Sequence, residues 1–166
     1  MRGLLALDCS THVGWAYFSA SGAAPRCGTW RAPPAWAIED YGGRFKAFHD
    51  WLADMLTTMQ PEGLAFESPL LPRGSMNMQT TEHTLRTLIG LVSVAELIAK
   101  LRDLRCFEVN VATAKKELAG SGRAEKRDML IAATNRGFPC ADDHQADACA
   151  VGLVAMRSLW PARAAA

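Results

Sequence analysis

The segment with the clearest potential for chemistry is a group of acids and one histidine near the end of the chain. DDHQADACA, residues 142–150, is predicted to begin a helix, yet no basic residue accompanies its acids. His144 and Asp147 are three positions apart and therefore share one helix face. Asp142 suits the helix N-cap, and Asp143 suits the positive helix end. Spacing alone leaves His144 and Asp147 open between metal ligands and ordinary surface residues.

Two further carboxylates end predicted strands. Asp8 ends the first apolar run, and Glu67 ends the fourth strand, GLAFES at 63–68. Ligand sites in open α/β sheets lie beyond the carboxyl ends of the strands, and neighbouring strands are about 4.8 Å apart. On adjacent strands the two acids would lie side by side and resist ionising together, a conflict that a divalent cation removes. The alternative is that each acid caps its own loop.

The donor types predict the metal and the chemistry. Carboxylate oxygens with one imidazole suit Mg²⁺ or Mn²⁺ better than zinc. Two such ions can clamp the attacking and leaving oxygens of a phosphodiester. We therefore predict metal-dependent hydrolysis of nucleic acid, with two ions held by Asp8, Glu67, His144 and Asp147.

The most basic part of the chain is the segment 114–127. It holds five cations and two acids, for a net charge of 5 − 2 = +3: Lys115, Lys116, Arg123, Lys126 and Arg127 against Glu117 and Glu125. Such a segment attracts backbone phosphates, with strong salt dependence. The alternative is a solvated basic loop. Arg73, in the loop after the fourth strand, is a further candidate for DNA contact.

The elements that position these residues follow an α/β pattern. Short apolar runs predict strands at 3–10, 13–20, 26–32, 63–68 and 105–113. Helical periodicity predicts helices at 36–60, 78–103, 124–137 and 142–159, with 114–128 as a glycine-broken connection. Right-handed crossovers make the first, fourth and fifth strands parallel neighbours. The predicted fold is a mixed five-stranded sheet in the order 3-2-1-4-5, flanked by helices, in one domain at 1–160 with a tail at 161–166.

Composition narrows the class of protein. The chain has 166 residues, 49% of them hydrophobic, which favours one domain with a sizeable core. It has no run of about 18 apolar residues and no signal-peptide pattern before Asp8, so a cytoplasmic location is expected, in the nucleoid or in a phage host. The formal charge of +1 means that a local patch must hold any anionic partner.

The cysteines give no sequence signal for a site. There are five, and no CxxC pair occurs: Cys9, Cys27, Cys106, Cys140 and Cys149. They are predicted to be small buried residues in a reducing compartment. A site built from Cys9, Cys140 and Cys149 has no support in the sequence.

Taken in order, these motifs resemble the RuvC-type Holliday junction resolvases of the RNase H-like superfamily. LALDCSTHVGWA is similar to the family's first hairpin, LAFESP to its fourth-strand acid, AKKELAGSGRAEK to its lysine-containing segment, and DDHQADACAVGLVA to its closing helix. The likeness spans nearly the whole chain, and the compact length resembles phage-type members.

The resemblance implies an RNase H-like homodimer, acting in DNA recombination and repair, that nicks two opposed strands of a four-way DNA junction. The cuts would leave 5′-phosphate and 3′-hydroxyl ends. Asp8 would bridge two Mg²⁺ ions, or Mn²⁺ in their place, and the other three ligands would complete the centre. Lys115 and Lys126 would contact phosphates near the scissile position, and the helix at 78–103 would form part of the dimer interface. Leu70 stands where bacterial relatives carry a stacking aromatic, which makes a broader branched-DNA activity plausible.

Other functions remain open at this stage. A nuclease of the same fold could act on RNA–DNA hybrids or precursor RNA. A non-catalytic junction-binding protein would need none of the four ligands. An actin-like ATPase relative also begins with an Asp-ended hairpin, but this chain is too short for its paired domains.

Overall fold

The computed structural model of the protein describes residues 3–32, 40–69 and 82–160. These residues form one mixed sheet in the order β3-β2-β1-β4-β5, which confirms the predicted sheet. The strands are β1 (Leu4–Asp8), β2 (His12–Phe18), β3 (Arg26–Arg31), β4 (Gly63–Glu67) and β5 (Arg105–Val109). The helices are α1 (Tyr41–Met59), α2 (Glu82–Leu101), α3 (Val111–Ala119), α4 (Lys126–Asn135) and α5 (Asp143–Leu159).

The central strand β1 separates two hydrophobic clusters. Leu4 and Ala6 pack in the cluster that contains the buried residues of α3, α4 and α5, whereas Leu5 and Leu7 pack against α1 and α2. Side chains alternate between the two faces of a strand. Asp8 continues the series of Leu4 and Ala6, so its carboxylate is directed to the α5 side of the sheet.

Strand β4 repeats this alternation beside β1. It runs parallel to β1, and Leu7 lies opposite Phe66. Ala65 belongs to the α5 side of the core and Phe66 to the α1 and α2 side. Glu67 therefore leaves the sheet at the same edge as Asp8 and on the same face.

Small residues allow α5 to lie very close to the sheet. A Cβ on Gly14 of β2 would lie 2.0 Å from the carbonyl oxygen of His144, and one on Gly152 would lie 2.1 Å from the Phe18 ring. Ala146 in the first turns of α5 is fully buried. The close approach brings the start of α5 to the edge where Asp8 and Glu67 end their strands.

The segment 114–128 was wrongly predicted as an irregular connection. It contains most of α3, which begins after Asn110, whose side chain accepts hydrogen bonds from the backbone N–H groups of Ala112 and Thr113. Gly120, at a φ of 80°, ends the helix. The predicted fifth strand was extended over this cap to residue 113, and so the start of the helix was missed.

The sequence of the long helix α2 has two apolar stripes, which predict either deep burial or an oligomer surface. One stripe holds Leu85, Leu88, Val92, Ala95 and Ala99, and the other holds Leu91, Val94 and Ile98. Both stripes contribute to the core, since Val92 and Ala95 of the first and Leu91 and Ile98 of the second are buried. Residues 78–81 of the predicted helix lie outside the described part of the chain. Within the described ranges, no helix has the length and apolar character needed to cross a membrane.

Gly14→Ala should destabilise the protein, because the new methyl group would collide with the backbone of α5. We expect a loss of about 1–3 kcal/mol in the free energy of unfolding, the usual cost of overpacking. The measurement is urea-induced unfolding. Gly42→Ala is the matched control, because its Cβ would find Asp40 Oδ1 no nearer than 3.8 Å and alanine favours a helix. Equal stability of Gly14→Ala and the wild type would contradict the close packing of α5.

Candidate active site

Asp8 and His144 form the closest contact of the site. The Asp8 residue is only 6% exposed, and its Oδ2 lies 2.8 Å from Nδ1 of His144. Ser10 Oγ lies 3.3 Å from the same imidazole nitrogen. Burial raises the pKa of Asp8, an effect that the hydrogen bond and charge of His144 partly offset. The same hydrogen bond raises the pKa of His144.

A polar network fixes where α5 begins and therefore where His144 lies. Asp142 caps the helix, as predicted, by accepting a hydrogen bond from the Gln145 backbone N–H at 2.9 Å. Thr29 of β3 donates its hydroxyl to Asp142 Oδ2 at 2.6 Å. The Gln145 side-chain amide in turn donates to Thr29 Oγ1 at 3.1 Å. The network ties the first turn of α5 to the edge strand.

Glu67 and Asp147 complete a convergence of three carboxylates from β1, β4 and α5. Burial, together with the negative charges of Asp8 and Asp147, raises the pKa of Glu67 to about 8. Burial and the charge of Asp8 raise the pKa of Asp147 to about 6. Asp147 Oδ1 is also buried without a hydrogen-bond partner. In the protein alone, these acids lack the positive charge that their ionised forms require.

Two of the predicted lysines lie beside the acids. Lys115 on α3 donates a hydrogen bond from its ammonium group to the carbonyl oxygen of Ala124, at 2.9 Å. Its positive charge lowers the pKa values of both Glu67 and Asp147. Lys126, at the start of α4, forms an ion pair with Asp143. The centre is thus flanked by cations on α3 and α4.

Two of the other predicted DNA contacts, Lys116 and Arg123, are exposed to solvent. They are not among the main causes of the pKa shifts of the four predicted ligands. Arg73 and Leu70 lie outside the described residues. These assignments stay predictions.

Comparisons with known proteins identify the fold. No protein-family model matches the sequence, and no curated protein sequence matches it. The structure is similar to Thermus thermophilus RuvC, with a TM-score of 0.68 and 20% identity over 96% of this chain and 97% of that one. It is also similar to T. thermophilus RuvC in complex with Holliday junction substrate, with a TM-score of 0.73 and 20% identity over 99% and 97% of the two chains. The chain has the RuvC-like resolvase fold.

A third structure shares the RuvC-like fold at lower identity. It is a yeast mitochondrial Holliday junction resolvase, with a TM-score of 0.64 and 12% identity over 94% of this chain and 78% of that one. The similarity covers 94% or more of this chain in all three cases. The positions of Asp8, Glu67 and α5 are therefore set by an architecture that proteins of very different sequence share.

The donors at the end of the RuvC-like sheet fit divalent cations. The orphaned Asp147 oxygen and the raised pKa of Glu67 both point to missing positive charge. As a set, the donor atoms of the four predicted ligands are widely spaced. Among the described residues, only one group of three potential ligand side chains has donor atoms within 4.8 Å of one another, and that group consists of cysteines elsewhere in the protein. A pair of ions about 3.5–4 Å apart tolerates donor atoms more than 4.8 Å from one another, because ligands on opposite sides serve different ions.

Some neighbours of the centre were not predicted from the sequence. Ser10, in the turn between β1 and β2, contacts His144, and the ring of His12 lies 5.7 Å from that of His144. Thr29 supports the cap of α5 from β3. Only the pairing of strands with α5 brings these residues to the site, so local sequence contains no signal for them.

The metal-free protein should lose thermal stability as the pH rises. The folded-state pKa of Glu67, about 8, exceeds its ordinary value of 4.5, so its contribution is complete below about pH 4.5 and is lost towards pH 8. Asp147 acts in the same direction up to about pH 6. Each 1 kcal/mol lost lowers Tm by about 2–4 °C at this size. Scanning calorimetry in chelator should show this fall, and Mg²⁺ or Mn²⁺ should raise Tm more at pH 8 than at pH 5.

Glu67→Gln should flatten the pH dependence of Tm, because the amide does not ionise. Glu96→Gln, an exposed substitution on α2, is the control and should keep the wild-type slope. If Glu67→Gln and the wild type have the same slope, Glu67 does not carry the raised pKa.

Proposed function

We propose that this protein is a divalent-metal-dependent endonuclease that resolves four-way DNA junctions. One observation carries the proposal: three partly or fully buried carboxylates and His144 converge where the parallel strands end. The chain has this convergence in the fold of a RuvC that was solved with a Holliday junction substrate. A junction-binding protein without catalysis would gain nothing from burying three acids that repel one another.

Asp8 is the best candidate to bridge two ions. It is the most buried of the acids, it contacts His144, and its charge raises the pKa values of both Glu67 and Asp147. The other three donors thus surround it. When bound, Mg²⁺ or Mn²⁺ supplies Lewis-acid activation of water and charge neutralisation at the scissile phosphate.

Loading the centre requires this chain to release protons. The pKa of Glu67 is raised to about 8 in the metal-free protein, so at neutral pH a cation must compete with its proton. His144 would have to be neutral to donate a lone pair, and Nε2, the ring nitrogen that does not contact Asp8, could supply it. Affinity for the metal therefore rises with pH.

The lysines hold the substrate backbone in this proposal. Lys115 is fixed by the carbonyl of Ala124 and faces the acids, a position from which it can contact the phosphate being cut. Lys126 can form an ion pair with a DNA phosphate in place of Asp143, because the carboxylate and the phosphate both present anionic oxygens. Lys116 and Arg123 are exposed and would extend the basic surface along the DNA arms. Arg73, outside the described residues, stays a predicted DNA contact.

A homodimer would place two such centres on opposed strands. The two apolar stripes noted in the sequence are used in the core, but α2 keeps a separate exposed row at helical spacing. Ile89 is 45% exposed, Leu97 56% and Leu101 71%. An exposed apolar patch can mark a protein contact, and a second copy of the chain is the partner that two symmetric nicks require.

Asp8→Asn should abolish cleavage of a labelled four-way junction while junction binding persists. The amide removes the central negative charge but keeps the shape of the side chain. We expect a loss of at least about 10³-fold in rate, the scale of removing a central electrostatic group. The assay measures nicking in Mg²⁺, Mn²⁺ and chelator, with gel-shift binding in parallel. Asp50→Asn, an exposed change on α1, is the control.

Different results would favour different functions. Equal cleavage by Asp8→Asn and the wild type would reject the site. Binding without cleavage by the wild type in either metal would favour a non-catalytic junction-binding protein. Faster cutting of RNA–DNA hybrids or precursor RNA than of junctions would favour another nuclease of the same fold. Mapping the cut ends tests the expected 5′-phosphate and 3′-hydroxyl chemistry.

Leu97→Glu combined with Leu101→Glu should convert the dimer to a folded monomer, because two buried charges at the interface would lack partners. Sedimentation velocity measures the change in mass. Ile131→Glu, which places a charge at a 48% exposed apolar position on α4, is the matched control and should remain dimeric. A wild-type protein that sediments as a monomer, or a double variant that stays dimeric, would exclude this interface.

A further inference from the structure

Three cysteines that are distant in sequence meet beside α5. Cys27 lies on β3, Cys140 in the segment before α5, and Cys149 within α5. The Sγ atoms of Cys27 and Cys140 are 4.0 Å apart, and those of Cys140 and Cys149 are 3.6 Å apart. All three Sγ atoms lie within 4.8 Å of one another. Cys149 is buried, and the other two are partly exposed, so solvent can reach the group from one side.

These spacings suit a shared metal ion. With Zn–S bonds of about 2.3 Å, a tetrahedral site separates neighbouring sulfurs by about 3.8 Å. The two measured spacings lie on either side of that value. A disulfide would need about 2.05 Å between sulfurs, and all three thiols are free.

We propose that Cys27, Cys140 and Cys149 bind a thiophilic metal ion, with Zn²⁺ as the expected occupant. Thiolates select soft ions, whereas carboxylates prefer Mg²⁺ or Mn²⁺. The two sites of the protein therefore take different metals. On binding, each thiol gives its proton to solvent and its sulfur lone pair to the ion, with no change in oxidation state.

The protein supplies three ligands and leaves the fourth to solvent. Among the described residues, no further His, Cys, Asp or Glu joins the group within 4.8 Å. Asp142 is a nearby carboxylate, because its negative charge acts to raise the pKa values of both Cys27 and Cys140. It is already committed to Thr29 and to the cap of α5. Water is thus the fourth ligand, reached from the exposed side of Cys27 and Cys140.

The position of the cysteines suggests what the ion does. Cys140 and Cys149 lie on either side of His144 and Asp147 in the chain, and Cys27 anchors them to β3. The ion would hold the first turns of α5 against the edge of the sheet, next to the network of Thr29 and Asp142. The ion would have a structural role, which is to stabilise the position of the helix. This role does not depend on which substrate the protein cuts.

The test is metal titration of the reduced, full-length protein after removal of bound metal. Co²⁺ is added first, and Zn²⁺ then displaces it. We expect one equivalent of Co²⁺ to give the near-ultraviolet absorption of sulfur-to-metal charge transfer, which carboxylates and imidazoles cannot produce. Zn²⁺ should remove this absorption and raise Tm. Asp8→Asn should behave as the wild type, because it alters only the carboxylate centre.

Cys27→Ser and Cys140→Ser should have a charge-transfer band of lower intensity than the wild type at saturating Co²⁺, and they should bind Zn²⁺ at least about tenfold more weakly, since each removes one of three thiolates. Cys106→Ser, on β5 and outside the group, is the matched control and should keep both. Absence of the band in the reduced wild type, or a band of undiminished intensity in Cys27→Ser, would overturn the proposal.

A second measurement avoids any effect of substitution on folding. Alkylation of the native wild-type protein with and without Zn²⁺, followed by peptide mass spectrometry, reports each thiol separately. Zn²⁺ should protect Cys27 and Cys140 from alkylation and leave Cys106 reactive. Equal alkylation of Cys27 and Cys140 with and without Zn²⁺ would exclude the site.

Discussion

Repulsion among three carboxylates at one edge of the sheet is the constraint on which the site depends. The charge of Asp8 raises the pKa values of Glu67 and Asp147, and the charge of Asp147 also raises the pKa of Glu67. Burial removes the water that would screen these charges. Cations at the rim of the site and the contact of His144 with Asp8 partly offset this repulsion. What remains uncompensated would favour the binding of divalent ions in the proposed function. The same feature would make the metal-free protein less stable than the metal-loaded one.

The core makes this arrangement possible by being rigid where the charges meet. All five residues of β1 are buried, and its alternation decides that Asp8 and Glu67 are directed to the same side. Gly14 removes the side chain that would hold α5 away from β2. The hydrophobic packing therefore sets the distance between the strand-end acids and those on the helix, and the site has little freedom to relax.

Features that follow from local periodicity could be predicted from the sequence. Features that depend only on contacts between residues distant in the chain could not. Strand-end acids in apolar runs predicted the meeting of Asp8 and Glu67, and crossover handedness predicted the strand order. The helix α3 was missed because its cap at Asn110 continues the apolar strand without a break. The three cysteines could not be found from spacing, since Cys27 is 113 residues from Cys140 and only the packing of β3 beside α5 joins them.

The contact between Thr29 and Asp142 has a consequence for biosynthesis. It joins residues separated by 113 positions, so the first turn of α5 has no support until the N-terminal hairpins and the last helix have both left the ribosome. His144 and Asp147 arrive with that helix. A nascent or truncated chain that ends before residue 143 would hold only half of the proposed ligands, so the proposed nuclease could not be active during translation.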